Sequence, residues 1–433
     1  MIRLSSSLPI GVVVEQDHDL PLTRLTLTLT RGAAEDPLER VGLAQFTAEL
    51  ARRGAGGLGR SQLDARFDDL GADLGVSVSH DAVTFDVEVM PRHLDKALGL
   101  LSDLLLRPDF LEQEAAQLVR ETGAQLDELE DDDPSIARRF FLRALFGASP
   151  YGQPTLGTHA SLARLDADAA RTWMARAVCS GNLIAGAAGD VDPAKFAEVV
   201  ARRFSVLRPG VSPRTELPPA PTLARTNVTL VDKPGRTQSQ IFLGQPTPAW
   251  SSPDFLPLAI AVNGFGGTFT SRLMNEVRSK RGLSYGASAR VGQGRGPRAV
   301  VIYVFPALAR TAETLELVLA LWRDFVRDGL SDDELAFARE NLASSFACDL
   351  VTPDDRLDLR VASSVCGLPH DYLRTTPARI RAISDAEVRQ AVTRWLRPDA
   401  LCVTVLGPRA PLAKQLDKIG LGDLTTHERF DHF

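Results

Sequence analysis

Several features that are common in secreted, membrane-bound and nucleic-acid-binding proteins are scarce in this sequence. It contains only four cysteines, without CxxC spacing, which predicts buried reduced thiols and no cysteine-based metal site. No run of 18 apolar residues is present, so we expect no membrane-spanning helix. The formal net charge of -6 gives no electrostatic reason to expect nucleic acid or an anionic membrane as a partner. The cysteines are Cys179, Cys348, Cys366 and Cys402.

The beginning of the sequence also lacks a targeting signal. Residues 1–10 have neither the continuous apolar core nor the small-residue cleavage site of a secretory signal, so we expect a cytoplasmic protein. With 44% hydrophobic and 24% charged residues, the composition is typical of a globular chain with a large core.

Histidine pairs with metal-ligand spacing are missing as well. Five histidines have no second histidine three or four residues away, and we interpret them as surface or core residues: His18, His80, His93, His159 and His370. His427 and His432 enclose acidic residues near the end of the sequence and could capture metal adventitiously, without a catalytic role. The acidic run 130–133 before Pro134 is predicted to end a helix in solvent, because it lacks the alternating ligands of an EF-hand.

A proline-rich stretch divides the sequence into two similar parts. Residues 208–221 contain five prolines, which predict an extended and fairly stiff linker. We therefore expect a first domain at 1–207, a linker at 208–222 and a second domain at 223–433. The five prolines are Pro209, Pro213, Pro218, Pro219 and Pro221.

The two parts repeat the same order of predicted elements. Residues 25–29 and 83–89 alternate apolar and polar side chains as strands do, and 300–305 has the equivalent position in the second part. The helices that begin at Leu111 and Leu330 share register, with an offset of 330 minus 111, or 219. Duplication is the simplest explanation. Strand pairs followed by helices, without strict alternation, predict an α+β fold with mainly antiparallel sheets and helices packed on one face.

The first amphipathic helix, at 41–50, carries a degenerate metal-binding pattern. It resembles the His-x-x-Glu-His helix of the pitrilysin, insulinase and mitochondrial processing peptidase family, the inverted zincins. In that family two histidines bind zinc and the glutamate activates the metal-bound water. Here Gln45, Ala48 and Glu49 occupy those three positions. A neutral amide is a poor zinc ligand and Ala48 has no carboxylate, so we expect no zinc on this chain.

The family's third zinc ligand is a glutamate on a later helix. The usual family spacing from Glu49 leads to Leu126, and the supporting glutamate's position falls at Val119. Both positions are apolar, which agrees with the loss of the other ligands. A register shifted by one or two residues would bring in Glu121, Asp127 or Glu128.

The resemblance extends along nearly the whole sequence. Residues 70–79 look like the family's strand beside the zinc site, which receives an extended peptide by edge pairing. Pro150-Tyr151-Gly152 and Leu156-Gly157-Thr158 look like the loop after the long helices, and 232–235 looks like the start of the second half. The resemblance implies two related halves that face each other like an open shell.

Residues 266–286 are the most family-like segment. Gly266 and Gly267 allow a turn that leads into a helix, which Thr268 or Thr270 can cap. Gly282 is predicted to end that helix before a strand that begins at Leu283.

Arg278 and Tyr285 are the candidate catalytic and substrate-binding residues of this segment, together with Gly266 and Gly267 as substrate-binding positions. In active relatives an arginine and a tyrosine at this spacing reach the substrate near the scissile bond. A guanidinium can hold a peptide carbonyl or carboxylate, and a phenol can donate to the oxyanion. Arg272 and Arg281 are alternatives for the cationic role. Without the resemblance, Arg278 could simply neutralise a helix end and Tyr285 could be a half-buried strand aromatic.

The resemblance therefore implies a zinc-free subunit of a heterodimeric zinc peptidase. The partner would be a homologous chain that carries His-x-x-Glu-His and the zinc, and the substrate would be an unfolded peptide. A structural or assembly subunit and a complete enzyme with misregistered ligands are the alternatives. Whether the isolated chain forms a homodimer is left open.

Overall fold

The computed structural model describes residues 10–211 and 214–431. The N-terminal segment 1–9, Pro213 of the expected linker and His432 lie outside them. In the part of the chain that is described, no helix has both the length and the apolar character needed to cross a bilayer.

Thirteen strands form within residues 10–211 and 214–431: β1 Gly11–Gln16, β2 Thr23–Leu29, β3 Gly54–Ala55, β4 Leu58–Gly59, β5 Gly75–Val78, β6 Val83–Val89, β7 Leu183–Gly189, β8 Asn227–Asp232, β9 Gln240–Thr247, β10 Ser284–Val291, β11 Arg298–Pro306, β12 Cys402–Gly407 and β13 Thr425–Arg429.

The same ranges contain sixteen α-helices: α1 Leu43–Ala51, α2 Arg60–Asp68, α3 Leu94–Leu106, α4 Glu112–Glu128, α5 Asp133–Phe146, α6 His159–Leu162, α7 Ala167–Ala177, α8 Pro193–Arg203, α9 Phe255–Val262, α10 Arg272–Met274, α11 Thr311–Asp328, α12 Asp332–Cys348, α13 Pro353–Val365, α14 Tyr372–Ala382, α15 Asp385–Trp395 and α16 Arg409–Lys418.

Each of the two large sheets has the same core arrangement, which supports the duplication. The order is β1-β7-β2-β6-β5 in the first sheet and β8-β12-β9-β11-β10 in the second, where β13 adds a sixth strand beside β8. In both sheets the first pair is parallel and the next three are antiparallel. The predicted α+β class with mainly antiparallel sheets is confirmed.

The compact units exchange segments of sequence. Unit 1 consists of Met1–Leu126, Pro154–Leu217 and Cys348–Leu373, and unit 2 consists of Asp127–Gln153, Pro218–Ala347 and Arg374–Phe433. Helix α5, from the first part of the sequence, thus belongs to the unit of the second sheet, and α13 belongs to that of the first. Neither unit is a single stretch of sequence, so these units do not test a sequential division. The division at 1–207, 208–222 and 223–433 stays a prediction.

In unit 1 the exchanged helix α13 covers a sheet face that the sequence pattern left open. Leu25 and Leu27 are fully buried, as expected, but Thr26 between them is also buried. Gly186 of β7 allows the close approach, since a Cβ there would lie 2.3 Å from the Thr26 hydroxyl and 2.8 Å from Leu357 of α13. The prediction of helices on one face is therefore incomplete, because the second face is covered by a helix distant in sequence.

In unit 2 helix α5 packs against β9 and β12 in the same way. Phe141 of α5 has its ring centroid 6.2 Å from that of Phe242 on β9. A Cβ on Gly244 would lie 2.9 Å from the Phe141 ring and 1.9 Å from the Val300 carbonyl oxygen. Only glycine fits this position.

A buried ion pair attaches the start of α5 to the second sheet. Lys233, which follows β8 and is only 4% exposed, has its Nζ 2.6 Å from the Asp133 carboxylate. Arg236 contacts the same carboxylate at 2.9 Å, and Asp132 accepts a hydrogen bond from the Ser135 N–H at 3.2 Å. The expectation that run 130–133 ends a helix in solvent is confirmed for Glu130 and Asp131, which belong to a 3-10 turn that follows α4. Asp132 instead caps α5 and Asp133 begins it. Asp133 needs partners because a partly buried carboxylate without them is costly.

The corresponding attachment in unit 1 has the opposite polarity. Glu15 of β1 pairs with Arg356 of α13 at 3.3 Å and with Arg360. Asp17, which follows β1 as Lys233 follows β8, lies 3.8 Å from Arg356. Here the strand end carries the carboxylates and the helix carries the cations.

This reversal favours the exchanged arrangement over one in which each part folds on itself. On its own sheet, α5 would bring Asp133 towards the carboxylates at the end of β1, and α13 would bring its arginines towards Lys233. Like charges that meet at a partly buried site destabilise the packing. The charges therefore discriminate between two sheets of the same core topology.

Two local expectations also need correction. The linker begins docked on unit 1, because the Gly181 N–H donates to the Gly210 carbonyl at 2.8 Å and the Thr215 N–H donates to Glu35 at 3.0 Å. All four cysteines are free thiols, and Cys179 and Cys402 are buried as expected, but Cys348, at the end of α12, is exposed and Cys366 is half-buried. Because Cys348 lies at a helix terminus, it has fewer neighbours than the apolar sequence around it suggested.

We predict that Lys233→Met destabilises unit 2 by about 3–5 kcal/mol, because it leaves the Asp133 carboxylate partly buried with one partner fewer. Arg323→Met is the control, since Arg323 forms an exposed pair with Asp399 at 2.9 Å whose loss should cost within about 1 kcal/mol. Urea unfolding followed by tryptophan fluorescence suits the test, as Trp250, Trp322 and Trp395 all belong to unit 2. Equal stability of the two variants would contradict the proposed weight of this ion pair.

Candidate functional site

Helix α1, which carries the degenerate zinc pattern, has its orientation fixed at its first turn. Gly42 precedes the helix with a φ of 94°, a conformation that favours glycine. The Asp36 carboxylate accepts hydrogen bonds from the backbone N–H groups of Gly42 and Ala44, each at 3.0 Å. A Cβ on Gly42 would lie 2.8 Å from Gly157, so the Leu156-Gly157-Thr158 motif packs directly on this turn.

The side chains in the three zinc positions make few polar contacts. Gln45 and Glu49 lie one turn apart, and the Gln45 amide donates to the Glu49 carboxylate at 3.4 Å. Ala48 is buried and offers no acid or base. Gln45 and Glu49 border a cavity of about 280 Å³ between α1 and α4.

On the α4 side of this cavity, Gln125 is a lining residue and Leu126, the position expected for the third ligand, is not. The residues of α4 that line it recur at helical spacing: Leu118, Glu121, Thr122 and Gln125. Leu126 is buried but does not line the cavity. One residue turns a helix by about 100°, which separates Leu126 from Gln125 on the helix surface. The position that faces α1 is thus Gln125, a neutral amide one residue before the position derived from family spacing.

Charges around this cavity are already paired with each other. Arg53, buried at the end of α1, contacts Glu121 and lies 3.6 Å from Glu114. The hydrogen bond from Arg53 lowers the pKa of Glu121. Burial raises the pKa of Glu49, opposed by Arg52 at 3.7 Å. Over residues 10–211 and 214–431, no group of three histidine, cysteine, aspartate or glutamate side chains could hold a metal ion. The donors present therefore do not fit zinc.

Strand β5 lies at the edge of the first sheet, next to α1. It spans only Gly75–Val78, so the strand expected over 70–79 is shorter. Its first half is replaced by a turn with Gly71 at a φ of 66°. Within the described ranges β6 is its only strand partner, which leaves backbone groups along the other edge available for an extended peptide.

In unit 2 the glycine pair allows tight packing beside β10. Gly266 and Gly267 belong to a wide helical turn, Asn263–Gly267. A Cβ on Gly266 would lie 2.6 Å from the Ala289 Cβ, and one on Gly267 would lie 2.3 Å from the Asn263 side chain. These contacts give both glycines a packing role, while their binding to a substrate stays a prediction.

The helical segment that carries Arg278 consists of α10 and the wide helical turn Asn275–Lys280, and it begins later than expected. The capping role suggested for Thr268 or Thr270 is wrong, because α10 begins at Arg272 after Ser271. The chain still turns at Thr268, whose carbonyl accepts from the Ser271 N–H at 3.2 Å. Gly282, at a φ of 58°, ends the helical segment as expected, and β10 begins at Ser284.

Arg278 and Tyr285 come together, as the sequence predicts, and a third residue joins them. The Arg278 Cζ lies 4.6 Å from the centroid of the Tyr285 ring and 4.7 Å from that of the Phe269 ring. Tyr285 is 78% exposed and Phe269 is 62% exposed. We call these three residues the arginine stack. Sequence reasoning missed Phe269, because an aromatic residue in a turn has no periodicity; the only available signal was its place inside the family-like segment.

Among the described residues, no carboxylate pairs with Arg278. The neighbouring cations differ in this respect. Arg272 contacts Glu334 at 2.5 Å, Lys280 contacts Glu276 at 2.6 Å, and Arg281 also pairs with Glu276. The two alternative arginines are therefore occupied within the protein. Among these four cations, Arg278 is therefore the one without a carboxylate partner in the described chain.

Comparison with known proteins identifies the relatives of this chain. Residues 11–159 match the family model described as insulinase (peptidase family M16), and residues 164–342 match that of the peptidase M16 inactive domain. An uncharacterized zinc protease from Mycobacterium leprae is 24% identical over 414 residues, which cover 94% of this chain and 92% of that protein. A non-peptidase homolog from Helicobacter pylori is 22% identical over 384 residues, covering 88% of each.

Solved structures share the fold. The crystal structure of a peptidase M16 inactive domain from Pseudomonas fluorescens has a TM-score of 0.85 at 21% identity and covers 93% of this chain and 96% of that one. A protease from Helicobacter pylori has a TM-score of 0.82 at 17% identity, covering 93% and 98%. Since the two family models together span most of the sequence between residues 11 and 342, the chain belongs to the insulinase family of peptidases, family M16.

Proposed function

We propose that this chain is the zinc-free subunit of a two-chain peptidase of family M16. It supplies Arg278 and Tyr285 to a composite active site, and a homologous partner supplies the His-x-x-Glu-His helix. The observation that carries this proposal is the arginine stack, in which a half-buried arginine contacts two exposed aromatic rings and pairs with no carboxylate of the described chain.

The residues at and around the zinc positions of unit 1 support the proposal that this chain binds no zinc. Gln45, Ala48 and Gln125 offer no charged ligand or general base, and the nearby Glu121 is held by Arg53. The names of the relatives point the same way: one is called a non-peptidase homolog and one matched family model is described as inactive. Catalysis by this chain alone is therefore not expected.

The arginine stack supports a part in catalysis beyond scaffolding. The Arg278 guanidinium keeps N–H donors for a peptide carbonyl or carboxylate. The exposed Tyr285 hydroxyl can donate to an oxygen that becomes negative when the peptide bond is attacked. A purely structural subunit, our alternative, gives no reason to keep these groups exposed and oriented.

The substrate and partner follow from the same reasoning. An unfolded peptide can add along the free edge of β5, where backbone hydrogen bonds need no particular sequence. Zinc on the partner would supply the activated water that this chain lacks. Cytoplasmic location is a further part of this proposal and rests on the sequence, whereas a homodimer of the isolated chain is left open.

We predict that hydrolysis of an unfolded peptide requires both chains, and that Arg278→Ala or Tyr285→Phe lowers turnover of the mixture by about 10²-fold or more, because each removes a donor to the reacting carbonyl. Arg281→Ala is the matched control. Its guanidinium is paired with Glu276, so turnover should stay within about twofold of wild type. The measurement is kcat and KM of the reconstituted pair with a fluorogenic peptide.

Full activity of both the Arg278→Ala and the Tyr285→Phe mixtures would contradict the proposed roles. Equal activity of the partner with and without this chain would favour the structural alternative.

A second prediction concerns the zinc positions. The variant Gln45→His, Ala48→Glu, Glu49→His, Gln125→Glu should bind about one zinc per chain, because it restores two histidines and a carboxylate around one cavity. The matched control carries Leu126→Glu in place of Gln125→Glu, and it should retain much less zinc, since residue 126 does not line the cavity. Metal analysis of tag-free, dialysed protein is the measurement.

Stoichiometric zinc in the wild-type chain would contradict the zinc-free assignment. Stronger zinc binding by the Leu126→Glu variant would instead restore the third-ligand position derived from family spacing.

A further inference from the structure

We propose that Phe269 is a positioning residue that holds the Arg278 guanidinium ready to bind a peptide oxygen. This inference rests on the proposed function and deepens it, since it explains how a long, flexible side chain is kept in one orientation without an ion pair. Nothing in the sequence pattern assigns Phe269 a role.

The first argument is the geometry of the arginine stack. The Arg278 Cζ lies at nearly equal distances, 4.7 and 4.6 Å, from the rings of Phe269 and Tyr285. The two rings make no contact with each other among the described residues, so each contacts the guanidinium separately. The N–H donors of a guanidinium lie in its own plane, at its edge.

The second argument is that the two rings are held by different elements. Tyr285 stands on β10, which pairs with β11. Phe269 stands on a turn fixed from both sides, because the Ser271 N–H donates to the Thr268 carbonyl at 3.2 Å and the Asn275 side chain donates to the Thr270 carbonyl at 2.9 Å. Rigid supports on two sides reduce the conformational entropy that Arg278 would otherwise lose on binding a substrate.

The third argument is the exposure of Phe269. A phenyl ring that is 62% exposed contributes little to a hydrophobic core. Its flanking residues, Thr268 and Thr270, are polar, as expected for a surface turn. Core packing therefore does not explain a phenylalanine at this position, whereas its ring on the Arg278 guanidinium does. This also makes the proposal testable, because replacing Phe269 should leave the fold intact.

The class of ligand follows from the stack. An arginine that contacts two aromatic rings and has no carboxylate partner in the described chain suits planar oxygen acceptors, which in a peptide are the backbone carbonyl and the carboxylate. An unstacked arginine would have to be ordered at each binding event. The preformed stack therefore favours binding at the edge of the guanidinium.

The experiment uses the full chain with Phe269→Leu, which removes the aromatic face, and Phe269→Tyr, which keeps it. The first readout is the rate at which phenylglyoxal modifies Arg278, measured by peptide mass spectrometry with the exposed Arg290 of β10 as internal reference. We expect modification of Arg278 to be about two- to fivefold faster in Phe269→Leu, from the loss of one cation–π contact at an exposed site. Phe269→Tyr should react as wild type does, and Arg290 should be unchanged throughout.

The second readout is peptide hydrolysis by the two-chain mixture. The kcat/KM of Phe269→Leu should fall by about two- to fivefold and that of Phe269→Tyr should stay at the wild-type value, with unchanged thermal unfolding of both variants. Wild-type labelling in Phe269→Leu, faster labelling without a loss of kcat/KM, or failure of Phe269→Tyr to restore both readouts would each overturn the inference.

The failure of this inference differs from that of the proposed function. If Arg278→Ala leaves hydrolysis unchanged, the proposed function fails and Phe269 has no catalytic side chain to position. If Arg278→Ala impairs hydrolysis but Phe269→Leu does not, only the inference about Phe269 fails.

Discussion

The reciprocal exchange of α5 and α13 is the constraint on which both sheets depend. Each central strand is buried on two faces, and one of those faces is covered by a helix from the other part of the sequence. In unit 1 this helix completes an apolar cluster with β1 and β7, formed by Val13, Ala188, Leu357, Val361 and Val365. The opposite polarity of the two attachments, Lys233 with Asp133 and Glu15 with Arg356, adds specificity to packing that apolar contacts alone could not direct. Both candidate sites are built on sheets completed in this way.

Local sequence patterns predicted the strands and helices well, because alternation and helical spacing report burial against near neighbours. They could not predict the exchange. Thr26 and Thr28 read as the solvent side of a strand, yet both are buried. The last acidic residues before Pro134 read as the solvated end of one helix, but Asp132 and Asp133 start the next one, and Asp133 pairs with Lys233, which lies far along the chain. Contacts between distant residues leave no periodic signal in either partner.

The candidate site, like the fold, was predicted only in its local features. The lack of a histidine at Gln45 and of a general base at Ala48 was visible from residue chemistry alone, and the proximity of Arg278 and Tyr285 followed from a helix, a glycine stop and a strand. Family spacing leads to Leu126, one residue beyond Gln125, which lines the cavity, so the third-ligand position stays a prediction. Phe269 was missed because its role depends on a three-dimensional contact with the Arg278 guanidinium.

The exchange of α5 and α13 also has a consequence for synthesis on the ribosome. When the first sheet has emerged from the exit tunnel, the helix that covers its second face has not yet been translated, since α13 ends at Val365. Until α13 is synthesised, nascent unit 1 exposes an apolar surface, which is a natural binding site for chaperones. For the same reason the two parts of this gene could not easily be separated during evolution, because each encodes a helix that the other needs in order to fold.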